Sequence, residues 1–225
     1  MLIVTGATGQ LGRRVVDHLG SLVPARHIGI STRDPAQASD LAEAGIRVRH
    51  GDFKDRASLR HAWEGADRIL LVSSNAAARG GDPLAEHRVA RDVASELGVA
   101  RLLCTIQISA SPESHFPPGR DHAATEAMLE GSGLPWTALR HGFYAARALG
   151  MNARGFAGGT LRGPEDGKVA WTRHDDLAEA DARLLAGQEV IDGATPPRLP
   201  GPRLSTLRIS PVSPRRSRVA TSRGR

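Results

Sequence analysis

The chain of 225 residues is 40% hydrophobic with a net charge of +6, enough for one good core or one core with a small lobe beside it. Its single cysteine, Cys104, excludes an intrachain disulfide, no apolar run approaches the ~20 residues of a membrane span, and with Met1 opening directly into a strand no signal peptide is expected. The expectation is a soluble, cytoplasmic protein with neither membrane nor nucleic acid as partner. The positive charge is local: residues 196–225 hold eight arginines and no acid, and the rest of the chain is slightly acidic.

Residues 2–5 (LIVT) form a short apolar strand, and Gly6-Ala7-Thr8-Gly9-Gln10-Leu11-Gly12 follows at once. Leu11, Val15, Val16, Leu19 and Leu22 then recur at helical spacing. Glycines let a backbone turn sharply and come close to a pyrophosphate. The helix that follows points its free N–H groups and positive dipole end at that anion. Strand, glycine turn and helix in this order predict a dinucleotide site contacted by Gly6, Thr8, Gly9, Gln10, Leu11 and Gly12.

A second strand over 27–32 ends at Arg33. In a doubly wound sheet that tip faces the adenosine ribose, where an arginine receives the 2′-phosphate of NADP; the plain alternative is a solvated surface arginine. Asp34, ahead of Pro35, reads as a helix N-cap with proline at the first helical position. A helix over 35–44 stops at Gly45, and 46–50 makes strand three. At its carboxyl end Asp52 is placed to accept from the adenine amino group with Phe53 along the ring, or the pair forms a helix-entry turn with Phe53 in the core. A helix from Asp55 turns Leu59, Ala62 and Trp63 inward. Strand four, 69–72, ends in Ser73-Ser74-Asn75, small polar residues that face the crevice.

Residues 76–82 read as a loop, 83–97 as a helix closed by Gly98, and 101–108 as strand five, with Cys104 as a packing residue. The proline-rich loop 109–119 is long enough to border a substrate pocket. A helix over 120–131 and strand six over 136–139 follow. Arg140-His141-Gly142-Phe143-Tyr144 then turns across the carboxyl edge of the sheet. Beyond lie a glycine-rich loop, 155–163, Lys168, and an amphipathic helix over 175–185.

Five separated stretches, MLIVTGATGQLG, RVRHGDF, LLVSSN, DHAATEAMLEGSGLPWTALRHGFY and EDGKVAWTRHDDLAEA, together resemble the NmrA-like branch of the atypical short-chain dehydrogenase/reductases, and within it the NADPH-dependent quinone oxidoreductase 2 family. The resemblance implies an α/β fold, a doubly wound parallel (Rossmann) sheet. It also implies NADPH contacts from Gly6 to Leu11, at Arg33, at Ser73, Ser74 and Asn75, across Thr137, Arg140 and Gly142, and near Lys168, with hydride passing to a quinone above the nicotinamide. It covers roughly residues 1–193. Such proteins continue through a last strand and helices that close the substrate lobe, so the lobe expected here is truncated. Residues 194–225 read as a separate tail. From 196 on, Pro, Arg and Ser supply 19 of 30 positions, a composition that argues disorder and resembles either an out-of-frame reading of a GC-rich gene or a genuine basic linker.

The usual Tyr-x-x-x-Lys pair of short-chain dehydrogenases is absent. Tyr144 is the only tyrosine, Ala148 stands four residues on, and the only lysines are Lys54 and Lys168. Alcohol oxidation needs a tuned base and loses its machinery. Hydride transfer to a quinone asks less, because the product is a stabilised phenolate. Catalysis then rests on stacking the acceptor over the nicotinamide, and Thr105, His141, Phe143 and Tyr144 are the residues placed to line that space. Each also has a plain reading, as strand, loop, core or helix-start residue. No metal-ligand spacing and no Gly-x-Ser-x-Gly elbow occurs. Two classes therefore stand: an NADPH-dependent reductase of quinone-like small molecules, or an NADP-sensing binding protein.

Overall fold

The structure, a computed structural model, describes residues 1–159, 169, 171–187 and 189–195. Lys168 and residues 196–225 lie outside the described residues. In chain order the strands are β1 (Leu2–Thr5), β2 (Ile28–Thr32), β3 (Arg47–His50), β4 (Arg68–Leu71), β5 (Arg101–Gln107), β6 (Trp136–His141), β7 (Phe143–Tyr144), β8 (Trp171–Thr172) and β9 (Gly193–Ala194). The helices are α1 (Gln10–Leu22), α2 (Ser39–Glu43), α3 (Arg56–Ala62), α4 (Pro83–Glu96), α5 (Pro117–Glu130), α6 (Ala145–Met151), α7 (Ala153–Ala157) and α8 (His174–Ala186).

Seven strands pair in the order β3-β2-β1-β4-β5-β6-β9 and every pairing is parallel. The chain leaves β1 toward β2 and β3, then returns to the other side of β1 with β4. The strand order thus reverses between β1 and β4, the place where an open α/β sheet parts into a crevice. Strand side chains alternate between faces, and both faces are covered. Val4, Leu70, Leu103 and Leu139 pack under α1 and α8 with Val15, Val16, Leu19, Leu177 and Ala182. Their neighbours Ile3, Ile69, Leu71, Leu102, Cys104 and Ala138 pack on the opposite side with Leu59, Trp63, Val93 and Leu129. Burial on two faces explains the nearly unbroken apolar strands.

Helix starts follow their caps. Asp55 accepts from the N–H groups of Ala57 and Ser58 at 3.0 and 3.2 Å, and Asp82 from those of Leu84 and Ala85 at 2.8 and 3.1 Å, with Pro83 behind it. Asp34 caps as expected, accepting from Ala36 N–H at 3.1 Å and Gln37 Nε2 at 2.9 Å. What it caps is a 3₁₀ turn, Pro35–Ala38, and a break at Ala38 separates that turn from α2.

Four further boundaries differ from the sequence reading. Helix α5 starts three residues earlier, at Pro117, a proline whose fixed φ suits a first turn. The glycine-rich segment is preceded and entered by helix, since the Ala-rich run 145–149 favours α6 and α7 continues to Ala157. Strand β6 runs on to His141. Gly193 and Ala194 add a seventh strand, and Thr195 is tied in through its N–H to Ala138 O at 2.8 Å and its hydroxyl, which accepts from Arg140 N–H at 2.9 Å. The sheet therefore passes the boundary expected at 193. No helix among the described residues is long and apolar enough to cross a membrane.

Candidate active site

A crevice of about 1210 Å³ opens at the carboxyl ends of the central strands, more than the few hundred to 1,000 Å³ of an ordinary small-molecule site. It runs from the glycine turn behind β1, along the tips of β2 and β4, to the segment that leaves β6.

At the glycine turn, Gly6 takes φ +63, and a Cβ there would meet Val72 at 3.2 Å. Gly9 donates its N–H to Gly6 O at 2.9 Å and begins α1 without any side-chain cap. The first amides of α1, at Gln10 and Leu11, therefore line the crevice with no side-chain acceptor, as an anion site requires. Thr8 and Gly12 line the same wall. Arg33 is exposed on the crevice wall at the β2 tip, and no partner for its guanidinium is recorded among the described residues. Its carbonyl is held by His50 Nδ1–H at 3.0 Å, and Asp34 N–H donates to Thr32 Oγ1 at 3.3 Å.

Asp52 and Phe53 also line the crevice, and their contacts are those of the helix-entry turn. One Asp52 oxygen already accepts from Lys54 N–H at 3.0 Å, the mark of an entry turn. Phe53 packs against the core layer of Trp63 while keeping a face on the crevice.

Ser73, Ser74 and Asn75 line the crevice, as the sequence reading expects, and the two serines are also bonded within the protein. Ser73 donates its N–H to Thr105 Oγ1 at 2.9 Å and its hydroxyl to Thr105 O. Ser74 donates its N–H to His87 Nε2 at 2.9 Å and its hydroxyl to the Glu86 carboxylate. Both serine side chains hold the turn in place, and Asn75 is the exposed member. Thr105 lines the crevice too, and its buried hydroxyl anchors Ser73. His87, which the sequence reading missed, is buried, and that burial pushes it down to about 4, with His122 adding to the effect. A neutral ring fits its bonds: Nε2 accepts from Ser74, and Nδ1–H donates to Thr125 Oγ1 at 2.9 Å, whose own hydroxyl goes to Asp121 O.

On β6 two expected contacts fall away from the crevice. Thr137 sits near the amino end of the strand, buried, with its hydroxyl donated to Ile191 O. Arg140 points to the opposite side of the sheet from His141 and forks onto Glu126 of α5 at 2.7 and 2.6 Å. Gly142, Phe143 and Tyr144 do line the crevice, with His141 beneath them. Phe143 stands edge-on to Trp171, ring centroids 5.4 Å apart. The Tyr144 ring lies 4.4 Å from that of His174, and burial, helped by the charge of Asp181, pushes its hydroxyl up to about 12. His141 is 2% exposed, its Nε2 3.0 Å from Asp181 Oδ1 and its Nδ1 3.4 Å from the Tyr144 hydroxyl. Asp181 went unread in the sequence. The signal was there: Leu177, Ala178, Leu184 and Leu185 form the buried stripe of α8, and Asp181 is the one acid within it.

A parallel sheet in this order, with a crevice at its switch point and an uncapped helix facing it, defines a dinucleotide-binding Rossmann protein. The chain belongs to the NAD(P)H-binding family, whose model matches residues 6–184, and its relatives set it in the NmrA-like, quinone oxidoreductase 2-like branch. It is 37% identical over 192 residues (84% of this chain) to quinone oxidoreductase 2 of Escherichia coli K12, and spans 66% of that protein. To an NmrA-like family domain-containing oxidoreductase of Aspergillus flavus it is 28% identical over 187 residues (81% of this chain), spanning 61% of it. The E. coli NADPH-dependent quinone oxidoreductase complexed with NADPH matches with a TM-score of 0.79 and 35% identity, over 86% of this chain and 67% of that one. The triphenylmethane reductase of Citrobacter sp. complexed with NADP(H) matches at 0.75 and 30%, over 85% and 67%. The chain thus spans about two thirds of the relatives it matches, or somewhat less.

Proposed function

We propose that this chain is an NADPH-dependent reductase that delivers hydride to a quinone or a similarly flat, electron-poor small molecule. The observation that carries the reading is the continuity of the crevice. One wall presents the glycine turn and Arg33, and the far end presents Gly142, Phe143 and Tyr144, so dinucleotide and acceptor share one space. When bound, NADPH supplies the hydride; the chain supplies position, a dry surface and a proton. Arg33 receives the 2′-phosphate that separates NADPH from NADH. Phe143 and Tyr144 offer aromatic surface against which a flat acceptor stacks. The names of the E. coli and Citrobacter relatives support the same reaction class. A reducing, cytoplasmic setting goes with this reading: Cys104, a lone cysteine, is wholly buried, and burial pushes its thiol up to about 12.

The experiment mixes the chain with NADPH and 1,4-benzoquinone and follows absorbance at 340 nm. Many turnovers per protein are expected. Tight NADPH binding with no quinone-dependent oxidation would instead make the chain an NADP-sensing protein and overturn the reductase reading.

A further inference from the structure

The buried end of the crevice holds three groups in a line that comes from two distant parts of the chain. Tyr144 follows β6 and starts α6, His141 closes β6, and Asp181 reaches in from α8. Asp181 is 0% exposed and His141 2%. One Asp181 oxygen, Oδ2, has no hydrogen-bond partner among the described residues, so the imidazole is the polar company its carboxylate keeps. A carboxylate only accepts, which assigns the proton on His141 Nε2 and leaves Nδ1 turned toward the Tyr144 hydroxyl. The 3.4 Å separation there is the long end of a hydrogen bond, and a small ring tilt closes it.

Resting on the reductase reading, we infer that Asp181, His141 and Tyr144 form a proton line to the acceptor, with Tyr144 as the catalytic donor and His141 and Asp181 as positioning and recharging residues behind it. The balance is simple. Hydride bonds with its electron pair to one quinone oxygen, the ring electrons shift to the aromatic arrangement, and the π pair of the opposite carbonyl moves onto its oxygen as a phenolate. The Tyr144 O–H bond breaks and its proton goes to that oxygen. The tyrosine oxygen takes the Nδ1 proton of imidazolium His141, which stays bonded to Asp181 through Nε2–H. The neutral ring regains a proton from solvent, so quinone, NADPH and one proton give hydroquinone and NADP⁺.

Geometry explains why the line needs its far end. A tyrosine pushed up to about 12 is a reluctant donor on its own; a cationic ring behind it, itself charge-balanced by a buried carboxylate, lets it give a proton without leaving a bare phenolate in an apolar site. The other titratable groups that face this line are His174 on α8, Arg147 on α6, His122 on α5 and, beyond His174, Arg14 on α1. Three of these lie within the field of His141 or Tyr144 as cations or bases, so Asp181 is the acid among them.

The test is Asp181→Asn in the full chain with NADPH and 1,4-benzoquinone. The affinity for NADPH, read by nicotinamide fluorescence, should stay within about 2-fold, and KM for the quinone within about 3-fold, while kcat falls roughly 10- to 100-fold. Tyr144→Phe and Asp181→Asn combined should be no slower than Tyr144→Phe alone, because they cut one line. An unchanged kcat, a kcat loss matched by an equal loss of NADPH affinity, or losses that multiply, overturns the proposal. Nitrogen-15 NMR of His141 in the unmutated chain tests it without turnover and without a variant that must fold. A ring protonated at Nε2, whether neutral or doubly protonated, supports the line, and a neutral ring protonated at Nδ1 alone ends it. A chain that binds NADPH yet reduces no quinone removes the reductase reading, and the hydrogen-bonded line is then judged by the NMR result alone.

Discussion

Gly12 and Gly6 are so closely apposed that a Cβ on Gly12 would lie 2.4 Å from the Gly6 carbonyl oxygen and 2.7 Å from its carbonyl carbon. Both obstructing atoms belong to the backbone of the turn itself, and no side chain can swing aside. The first turn of α1 is thereby seated directly on the glycine turn, which aims its amides into the crevice.

Gly12→Ala should therefore push α1 off the turn. Overpacking of this kind costs about 1–3 kcal/mol, and the displaced amides should cost at least a roughly 10-fold loss in NADPH affinity, since two charge-assisted bonds of about 1.5 kcal/mol are misaimed. Urea denaturation and fluorescence titration measure the two effects. Full stability with full affinity would mean that the turn relaxes freely.

On the proposed reading Arg33 receives the 2′-phosphate of NADPH. Its guanidinium is exposed on the crevice wall, and its position is fixed through its carbonyl by His50. One charge-assisted contact to a 2′-phosphate is worth roughly 1.5–3 kcal/mol. Arg33→Ala should weaken NADPH about 10- to 100-fold and leave NADH nearly unchanged. Equal losses for both cofactors in a titration would make Arg33 part of the scaffold.

The strand-turn-helix opening was legible because it is local: Leu2–Thr5, the glycines and the α1 stripe lie within twenty-odd residues, and each needs only its own geometry. The Asp34 cap was legible for the same reason. The face of a strand was not. Residues 136–141 read as strand and turn, but which side chains look into the crevice depends on where the strand stops. With β6 running to His141, period 2 sends Leu139 and His141 toward α8 and Arg140 toward α5. Thr137 shares the side of His141 yet sits about 13 Å back along the strand at ~3.3 Å per residue. Asp181 was hidden by distance, since its meeting with His141 exists only once α8 docks beside α1. The bonds that fix Ser73 and Ser74 likewise come from α4 and β5, and no local pattern announces them.

His87 makes the turn before Asn75 sensitive to acid. Its folded value is pushed down to about 4 by burial, against an ordinary 6.5. Between those values the unfolded chain binds a proton that the folded chain refuses, so the stability this residue contributes is fully present above pH 6.5 and is lost as pH falls toward 4. The full loss is about 3 kcal/mol, and below pH 4 this group adds nothing further. Thermal melts at pH 7, 5.5 and 4 should show the decline, and His87→Gln should flatten it. A decline of the same size in the variant would assign the acid sensitivity to other groups.

Arg140 separates scaffold from cofactor site, and its expected behaviour is the reverse of that of Arg33. Its guanidinium forks onto Glu126, and its backbone N–H is held by Thr195, so it binds α5 to β6 and β6 to the segment after β9. The Glu126 bonds also raise the basicity of the guanidinium. Glu126 is mostly buried, 14% exposed at its side chain, so removing the arginine strands a carboxylate and costs more than the contact alone. Arg140→Met should lower stability by about 1–3 kcal/mol, while NADPH affinity in the folded fraction stays within about 2-fold. Adding Glu126→Gln to Arg140→Met should recover part of the loss, because the stranded charge is gone. A selective loss of NADPH binding at unchanged stability would instead return Arg140 to the cofactor site and require the fork to open when the dinucleotide binds.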